Sequence, residues 1–310
     1  MKYLNDREVQ EILQLISITE ITEAIEEAFI DDSTSMVPKI YLDGDDGDFR
    51  AMPVAFKKYA CLKWIGVFPN NYQVSLPTTL GTLILNDRET GKPLIAMDCT
   101  TLTAYRTAAT SALAAKYCAP DAEEFAFIGC GLQAKYHIEA YQAVICSHKK
   151  LRIELYDQNE QAQKNLMEWM GHQYIAQAYG RNKSIKEAVK DADVVTTLTP
   201  SKLPYLDIHD LKSNCHINAV GADAEGKREL MSNIIGGSSH IICDDPIQAL
   251  HSGELQYNEW PKLDITSLKN LILNKKSIQP EKGLSVFDST GVALEDIAIA
   301  ILIYKAYNSD

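Results

Sequence analysis

Two glycines and an alanine follow an apolar run near the middle of the chain, spaced as Gly129-x-Gly131-x-x-Ala134. In a dinucleotide-binding turn the first glycine permits the tight turn, and the second lets backbone N–H groups approach the phosphates. A small third residue lets the following helix pack closely on the strand, with the phosphates at the helix N-terminus. The spacing therefore predicts a nicotinamide-dinucleotide site. The alternative is a structural glycine turn in another α/β fold.

A carboxylate follows the next predicted strand, because residues 151–157 have a strand pattern that ends in Asp157. At about twenty residues past the turn, a carboxylate accepts hydrogen bonds from the adenosine ribose hydroxyls and repels a 2′-phosphate. Gln158 and Asn159 bring no compensating positive charge. We therefore expect NAD(H) to be favoured, while NADP(H) stays open. The alternative is a solvated acid at the end of a strand.

Four cations lie in segments of the N-terminal half that are otherwise apolar or small: Lys39, Arg50, Lys63 and Arg106. One such cation is best explained by a side chain that extends its charged end to water. Four of them in one half of an acidic chain favour a pocket that binds a carboxylate. Arginine suits a bidentate grip on that group, and lysine adds a point charge.

An acid also follows a predicted strand in the second half of the chain. Asp223 comes shortly after residues 215–220, and ligands bind beyond the carboxyl ends of such strands. A partly desolvated acid there could pass a proton to or from a reacting nitrogen or water. Capping of a helix that starts near Gly226 explains the residue equally well. Both interpretations stay open.

The elements that would position these residues change in character along the chain. Helices are predicted at the N-terminus, the first capped by Asn5 or Asp6, followed by strands over 48–56, 60–68, 81–86 and 93–98 and a long helix over 100–117. From residue 121 strands and helices alternate, as in a parallel sheet, with helices expected over 132–146 and 227–235 and an apolar packed helix that ends near Tyr307. We predict an α/β protein in which a Rossmann dinucleotide-binding domain (120–287) is inserted in an α+β domain for substrate binding and dimerisation (1–119 plus 288–310).

Composition excludes several classes of function. The 310 residues carry a net charge of −12, which argues against nucleic acid and anionic membrane surfaces as partners. No apolar run reaches the roughly 18 residues of a membrane span, and the N-terminus lacks an apolar signal core. The seven cysteines form no C-x-x-C pair, so neither a metal site nor a disulfide framework is indicated. We expect a cytoplasmic protein that acts on a small molecule.

Five motifs, in order along the chain, resemble those of the ornithine cyclodeaminase/μ-crystallin family. They are Phe49-Arg-Ala-Met-Pro53, Leu102-Thr-Ala-Tyr-Arg-Thr-Ala-Ala-Thr-Ser111, Ile128-Gly-Cys-Gly-Leu-Gln-Ala134, His216-Ile-Asn-Ala-Val-Gly-Ala-Asp223 with Gly226-Lys-Arg-Glu-Leu230, and Phe287-Asp-Ser-Thr-Gly-Val-Ala293. The resemblance covers nearly the whole chain. It implies a Rossmann domain inserted in a domain built from both chain ends, and a homodimer.

The resemblance also implies roles for individual residues. Lys63 and Arg106 would hold a substrate carboxylate, with Lys39 and Arg50 beside them. Asp223 would be the catalytic acid/base, and Lys63 would share in catalysis. Thr290 and Gly291 would lie near the nicotinamide. The expected cofactor contacts are Gly129, Gly131, Leu132, Gln133, Ala134, Asp157, Thr197, Thr199, Val220 and Thr290.

Members of this family transfer hydride at the α-carbon of an amino acid or its imine. In the cyclodeaminases, by the resemblance, a glutamate that receives the distal ammonium of ornithine occupies the position of Arg50. A cation facing that ammonium is unfavourable by on the order of several kcal/mol when desolvated. We therefore expect an NAD(P)H-dependent reductase of a cyclic α-imino acid, chiefly Δ1-pyrroline-2-carboxylate to L-proline or its six-membered homologue. Alanine dehydrogenase is the alternative and ornithine cyclodeaminase the third; a cofactor-dependent binding protein like μ-crystallin is the non-enzyme alternative.

Overall fold

The computed structural model describes residues 1–173, 176–256, 264–274 and 283–309. These residues form two compact units, Met1–Ala109 with Val292–Asp310 and Thr110–Gly291. The first division falls inside a helix, Thr100–Cys118, and the second follows Gly291. The chain is a mixed α/β protein, as predicted. Among the described residues, none of the helices combines the length and apolar character that a bilayer crossing requires.

The first unit is built on one mostly antiparallel sheet. Its strands are β1 (Lys2–Leu4), β2 (Ser35–Met36), β3 (Ile40–Asp43), β4 (Asp48–Phe56), β5 (Tyr59–Val67), β6 (Thr79–Asp87) and β7 (Pro93–Asp98). Its helices are α1 (Asp6–Leu13), α2 (Ile18–Ile30), the first half of α3 (Thr100–Cys118) and α10 (Ala293–Tyr307). The strand order is β1-β7-β6-β5-β4-β2, and β3 also pairs with β4.

Strand alternation gives this sheet one buried and one exposed face. In β5 the side chains of Lys63 and Ile65 are buried, whereas those of Leu62 and Trp64 are about 40% exposed. The buried face packs against α10, whose residues 293–301 are all buried. Lys63 is therefore held between the sheet and an apolar helix. A lysine buried at this position requires partners that compensate its charge.

The second unit is a parallel sheet with the strand order of a doubly wound fold. Its strands are β8 (Glu124–Ile128), β9 (Leu151–Tyr156), β10 (Ala176–Arg181), β11 (Val194–Thr197), β12 (His216–Ala219), β13 (His240–Cys243), β14 (Ile265–Ser267) and β15 (Ser285–Asp288). Its helices are α4 (Leu132–Val144), α5 (Glu160–Gln173), α6 (Ile185–Val189), α7 (Ser232–Gly237), α8 (Pro246–Ser252) and α9 (Leu268–Leu273). The strand order is β10-β9-β8-β11-β12-β15-β13-β14. The order reverses between β8 and β11, and ligands of such sheets bind at the carboxyl ends of the strands at this switch point.

Most of the predicted elements are confirmed. The strands predicted at 48–56 and 93–98 match β4 and β7, and Asn5 caps α1 by a reciprocal pair of bonds with Glu8. The helix predicted over 227–235 is wrong in its first half, since α7 begins only at Ser232. The physical reason is that the carbonyl oxygen of Glu229 accepts from the N–H groups of Tyr205 and Leu206, which draws this segment into an extended pairing.

Candidate active site

The glycine turn joins β8 to α4, and different physical reasons account for the presence of its two glycines. Gly129 has a φ of +102°, and a Cβ atom there would lie 2.9 Å from the Leu198 carbonyl oxygen. No other residue fits that position without strain. Gly131 caps α4 at an ordinary φ of −79°, and a Cβ atom there would meet nothing within 4 Å. Packing within the protein therefore explains why residue 129 is a glycine. It does not explain Gly131, which faces open space.

Asp157 follows β9 and is tied to the turn by its carboxylate. Oδ2 accepts from the Cys130 N–H at 2.8 Å, and Oδ1 accepts from the Asn159 N–H at 2.8 Å. Ala134, the small third residue, is fully buried where α4 packs on the sheet. These contacts hold the carboxylate next to the N-terminus of α4, where the expected ribose would lie.

The remaining features of this edge fit a dinucleotide as well. Leu132 is exposed at the start of α4, and Gln133 follows it. The buried Oε1 of Gln133 and the buried Oγ of Ser289, at the end of β15, have no hydrogen-bond partner among the described residues. Buried polar atoms are nearly always paired, so two orphans at the carboxyl edge of one sheet indicate a polar ligand. The open space at Gly131 gives the same indication.

Two of the threonines predicted to contact the cofactor already donate hydrogen bonds to buried carboxylates. The Thr197 hydroxyl donates to Glu229 Oε2 at 2.6 Å, and the Thr290 hydroxyl donates to Asp244 Oδ1 at 2.7 Å. A hydroxyl whose proton is committed in this way offers only its lone pairs to a ligand. Val220 lies at the end of β12, where its N–H donates to the Thr197 carbonyl oxygen.

Buried acids near the strand ends were missed in the sequence. Burial raises the pKa of Glu229, the pKa of Glu254 well above its ordinary value, and the pKa of Asp288 to about 8. Asp288 accepts from the N–H groups of Glu254 and Leu255. Glu229 and Asp288 both belong to motifs quoted above, so family resemblance was the available signal. Glu254 carries no such signal.

A buried histidine was also missed. His216, on β12, is fully buried between Ser285 Oγ at 2.9 Å and Asn218 Oδ1 at 3.1 Å. Burial lowers its pKa to about 4. It is therefore a neutral residue of the sheet interior, on the strand that directly precedes Asp223.

Asp223 lies in the loop after β12 and does not cap a helix. The next helix in the chain is α7, nine residues further on, and its N-cap is Met231. Lys227 forms an ion pair with Asp223, with Nζ at 2.5 Å from Oδ1. The capping interpretation is thus wrong. Sequence reasoning missed Lys227, which stands in the same motif.

In the first unit the structure brings two of the four predicted cations together. Lys63 Nζ lies 2.7 Å from Asp296, and both side chains are at most 1% exposed. Arg106 donates to Glu295 Oε2 at 2.8 Å, and its Nε lies 3.3 Å from Asp296 Oδ1. The two cations therefore share one carboxylate of α10. Sequence reasoning missed Glu295 and Asp296, which it placed in an apolar packed helix.

Arg50 lies on the same buried face of the sheet as Lys63. It stands opposite Ile65 in the β4–β5 register, and Lys63 is two residues from Ile65. Asp48 binds its guanidinium through both oxygens, at 2.6 and 3.2 Å. Lys39 is half-buried and directly precedes β3, in which Tyr41 stands opposite Arg50. Each cation whose partners are named here thus has a carboxylate beside it.

A parallel sheet with this turn, this strand-end carboxylate and this order of strands defines a Rossmann-type dinucleotide-binding unit. The comparison with protein families makes the class more specific. The model of the ornithine cyclodeaminase/mu-crystallin family matches residues 5–310. The chain belongs to this family.

Curated relatives of known activity are similar over most of their length. An alanine dehydrogenase of Archaeoglobus fulgidus is 36% identical over 96% of this chain and 92% of its own. An ornithine cyclodeaminase of Brucella abortus is 32% identical over 84% and 72%, respectively. A Δ1-pyrroline-2-carboxylate reductase of Bacillus cereus is 30% identical over 79% and 76%.

Solved structures agree with this grouping. An archaeal alanine dehydrogenase dimer with bound NAD has a TM-score of 0.91 and 35% identity, covering 100% of this chain and 96% of that one. The Thermococcus litoralis Δ1-pyrroline-2-carboxylate reductase with NADH and L-proline also has a TM-score of 0.91, at 26% identity, covering 100% and 98%. The fold is therefore that of NAD-dependent oxidoreductases of this family.

Proposed function

We propose that this protein uses NADH to reduce the carbon–nitrogen double bond of an α-imino acid. The observation that carries the proposal is the convergence of Lys63 and Arg106 on Asp296 at a buried sheet face. Such a cluster suits a small anionic substrate. Family membership supports the reaction type, since the similar alanine dehydrogenase and pyrroline-carboxylate reductase structures hold NAD or NADH.

The cofactor is proposed to lie along the carboxyl edge of the parallel sheet, where it would supply a hydride when bound. Gly131 and the N-terminus of α4 would receive the pyrophosphate. Asp157 would bind the ribose hydroxyls, and its fixed carboxylate argues for NAD(H) over NADP(H). Gln133 and Ser289 would use their unpaired oxygen atoms to bind polar groups of the cofactor.

The substrate carboxylate is proposed to bind Lys63 and Arg106, with Lys39 and Arg50 contributing positive charge nearby. Glu295 and Asp296 keep the two central cations oriented and limit their net charge. The incoming carboxylate must then compete with existing ion pairs. Such competition favours small substrates that offer both oxygens to a guanidinium.

Asp223 is proposed to hold or transfer the proton of the reacting nitrogen, as its match to the catalytic aspartate of the family suggests. Its ion pair with Lys227 must loosen when the carboxylate takes up a proton. Lys227 thereby becomes a second residue whose replacement should change the reaction. A Lys227→Met variant should change the pH profile of kcat more than it changes the KM for the imino acid.

Two substrates rank first. Δ1-Pyrroline-2-carboxylate is the substrate predicted from the motifs, and pyruvate with ammonia is favoured by the 36% identity to an alanine dehydrogenase. The deciding experiment follows NADH absorbance in parallel with the five-membered imine, the six-membered imine, and pyruvate with ammonia, and it measures ammonia release from ornithine in the presence of NAD+. Turnover of any imine, cyclic or formed from pyruvate, supports the proposal, and the rates rank the candidates. Ammonia release from ornithine without net NADH change would overturn it in favour of a cyclodeaminase. Silence in every well would overturn it in favour of a binding protein.

The protein is also proposed to form a homodimer through the exposed face of the first sheet. Leu62, Trp64 and Leu80 form neighbouring exposed positions on β5 and β6, and Phe49 stacks on Trp64 with ring centroids 5.4 Å apart. Apolar patches of this kind mark interfaces. Trp64→Glu should halve the mass measured by light scattering, whereas Leu15→Glu, at an exposed leucine outside the sheet, should not. A monomeric wild-type protein would refute the proposal.

A further inference from the structure

The carboxylate of Glu229, in the second unit, is heavily hydrogen-bonded. It is fully buried and accepts five hydrogen bonds. The donors are Thr197 Oγ1 at 2.6 Å, the Thr199 N–H at 2.8 Å, Thr199 Oγ1 at 2.6 Å, Tyr205 OH at 2.7 Å and the Gly221 N–H at 2.8 Å. A carboxylate has about four lone-pair sites, so this one is saturated.

These donors lie at the ends of two neighbouring strands. Thr197 ends β11 and Thr199 follows it, while Gly221 is the second residue after β12. The approach at Gly221 is so close that a Cβ atom there would meet the Glu229 carboxyl group at 2.6 Å. Glu229 therefore fixes the spacing of two strand ends on the edge where ligands of such sheets bind.

Glu229 also fixes the path of the Asp223 loop (residues 221–230). It lies next to the last residue of this loop, and its carboxylate binds the N–H group of the first residue. Its own N–H donates to Glu254 Oε1 at 2.6 Å, and the Gly226 N–H donates to Gln256 Oε1 at 2.8 Å. Gln256 Nε2 in turn donates to the Lys227 carbonyl oxygen at 3.0 Å. The loop is closed at Gly221, held at its middle by Gln256 and held at its end by Glu254.

We infer that Glu229 is a positioning residue of the reaction, which sets where Asp223 and the ends of β11 and β12 meet the cofactor. This inference rests on the proposed function for its catalytic part only. The cofactor part can be measured by binding alone. Glu229 itself is enclosed by its five donors, so it acts through the residues it holds.

Glutamine is the informative replacement. It has nearly the same shape, but it offers one acceptor oxygen and turns an NH2 group toward donors. The backbone N–H groups of Thr199 and Gly221 cannot rotate away, since each is fixed by its strand end. Tyr205→Phe is the matched control, because it removes one donor from the same carboxylate and leaves both backbone donors satisfied.

The experiment compares the wild type, Glu229→Gln, Tyr205→Phe and Glu139→Gln, the last altering a half-buried acid on α4. Cofactor dissociation constants come from NADH fluorescence, and kcat and KM come from turnover of the best imino acid. We expect Glu229→Gln to raise the dissociation constant about tenfold and to lower kcat about 10²-fold, with KM within about threefold. The two control variants should stay within about twofold of the wild type on both readouts.

The outcomes separate positioning from folding. If Glu229→Gln lowers only the thermal midpoint and leaves the dissociation constant and kcat within about twofold, the inference is overturned. If the variant does not fold, Glu229→Asp takes its place, because it keeps the charge but shortens the side chain by one methylene. This variant should lower kcat about tenfold and leave KM nearly unchanged. If the wild type turns over no imino acid, the proposed function fails while the dissociation constants still decide the cofactor part. Equal dissociation constants would then overturn that part as well.

Discussion

Replacing Lys63 by methionine should cost about 3 kcal/mol of stability, because it leaves a buried carboxylate without its nearest cation. Lys63 Nζ lies 2.7 Å from Asp296 in a pair that is at most 1% exposed. Removing one partner of a buried pair costs about 3–5 kcal/mol. The lower end applies here, since Asp296 keeps Arg106 at 3.3 Å. With an m-value of about 3 kcal/mol/M, the urea midpoint should fall by about 1 M.

A second substitution separates the structural part of this effect from the functional part. In Lys63→Met/Asp296→Leu the uncompensated charge is gone, and Arg106 keeps Glu295 at 2.8 Å. Apolar replacement of a whole buried ion pair is often neutral, so stability should return to within about 1 kcal/mol of the wild type. Activity should not return. Loss of the cation that binds the substrate carboxylate should still lower kcat/KM by about 10²-fold or more.

The assay is urea unfolding followed by circular dichroism for the wild type, both single variants and the double variant, with NADH consumption measured on the same samples. A loss below about 1 kcal/mol for Lys63→Met would show that Asp296 is compensated without the lysine. Recovery of activity together with stability in the double variant would refute the substrate role. Lys63 would then be a structural cation only.

Three further predictions concern the second unit. Gly131→Ala should keep the thermal midpoint within about 2 °C yet weaken NADH binding about tenfold, while Gly129→Ala, at its φ of +102°, should cost about 1–3 kcal/mol of stability. Asp157→Ser should narrow the preference for NADH over NADPH by about tenfold in fluorescence titrations, and an unchanged ratio would remove that carboxylate from the cofactor site. The His216 pKa is about 4 in the folded protein and 6.5 ordinarily, so below pH 6.5 the unfolded chain binds the extra proton and stability falls until about pH 4. His216→Gln should remove up to about 3 kcal/mol of that acid loss, and an identical pH profile of unfolding would contradict it.

Features that depend on neighbours in the chain were predictable from the sequence. The strand, glycine turn and helix at 124–146 were located almost to the residue, as β8 and α4 show. The cap at Asn5 was among the two residues expected. Apolar periodicity and turn chemistry act over a few residues, so the information lies within a short window.

Partners that are distant in sequence could not be predicted in this way. Lys63 and Asp296 are 233 positions apart, and nothing near either residue announces the other. The pattern of α10 indicated a packed helix correctly but gave no role to its two buried acids. Likewise, residues 227–231 have helical composition, and only the pairing of Glu229 with Tyr205 and Leu206 decides against a helix. Tertiary hydrogen bonds outweighed local propensity there.

Arg50 opposes the binding of ornithine less strongly than its sequence position suggests, because it has a carboxylate partner. On the sequence, a lone cation stood where the cyclodeaminases carry a glutamate. In the fold, Asp48 binds that guanidinium through both oxygens, and Tyr41 lies under it at 5.5 Å. A neutral ion pair repels an ammonium far less than a bare arginine does, because the two Coulomb terms nearly cancel. Arg50 therefore excludes ornithine only when its pair with Asp48 opens. Asp48→Asn, which exposes the full charge of Arg50, should suppress any ornithine turnover while leaving reduction of the smaller imino acids within about threefold.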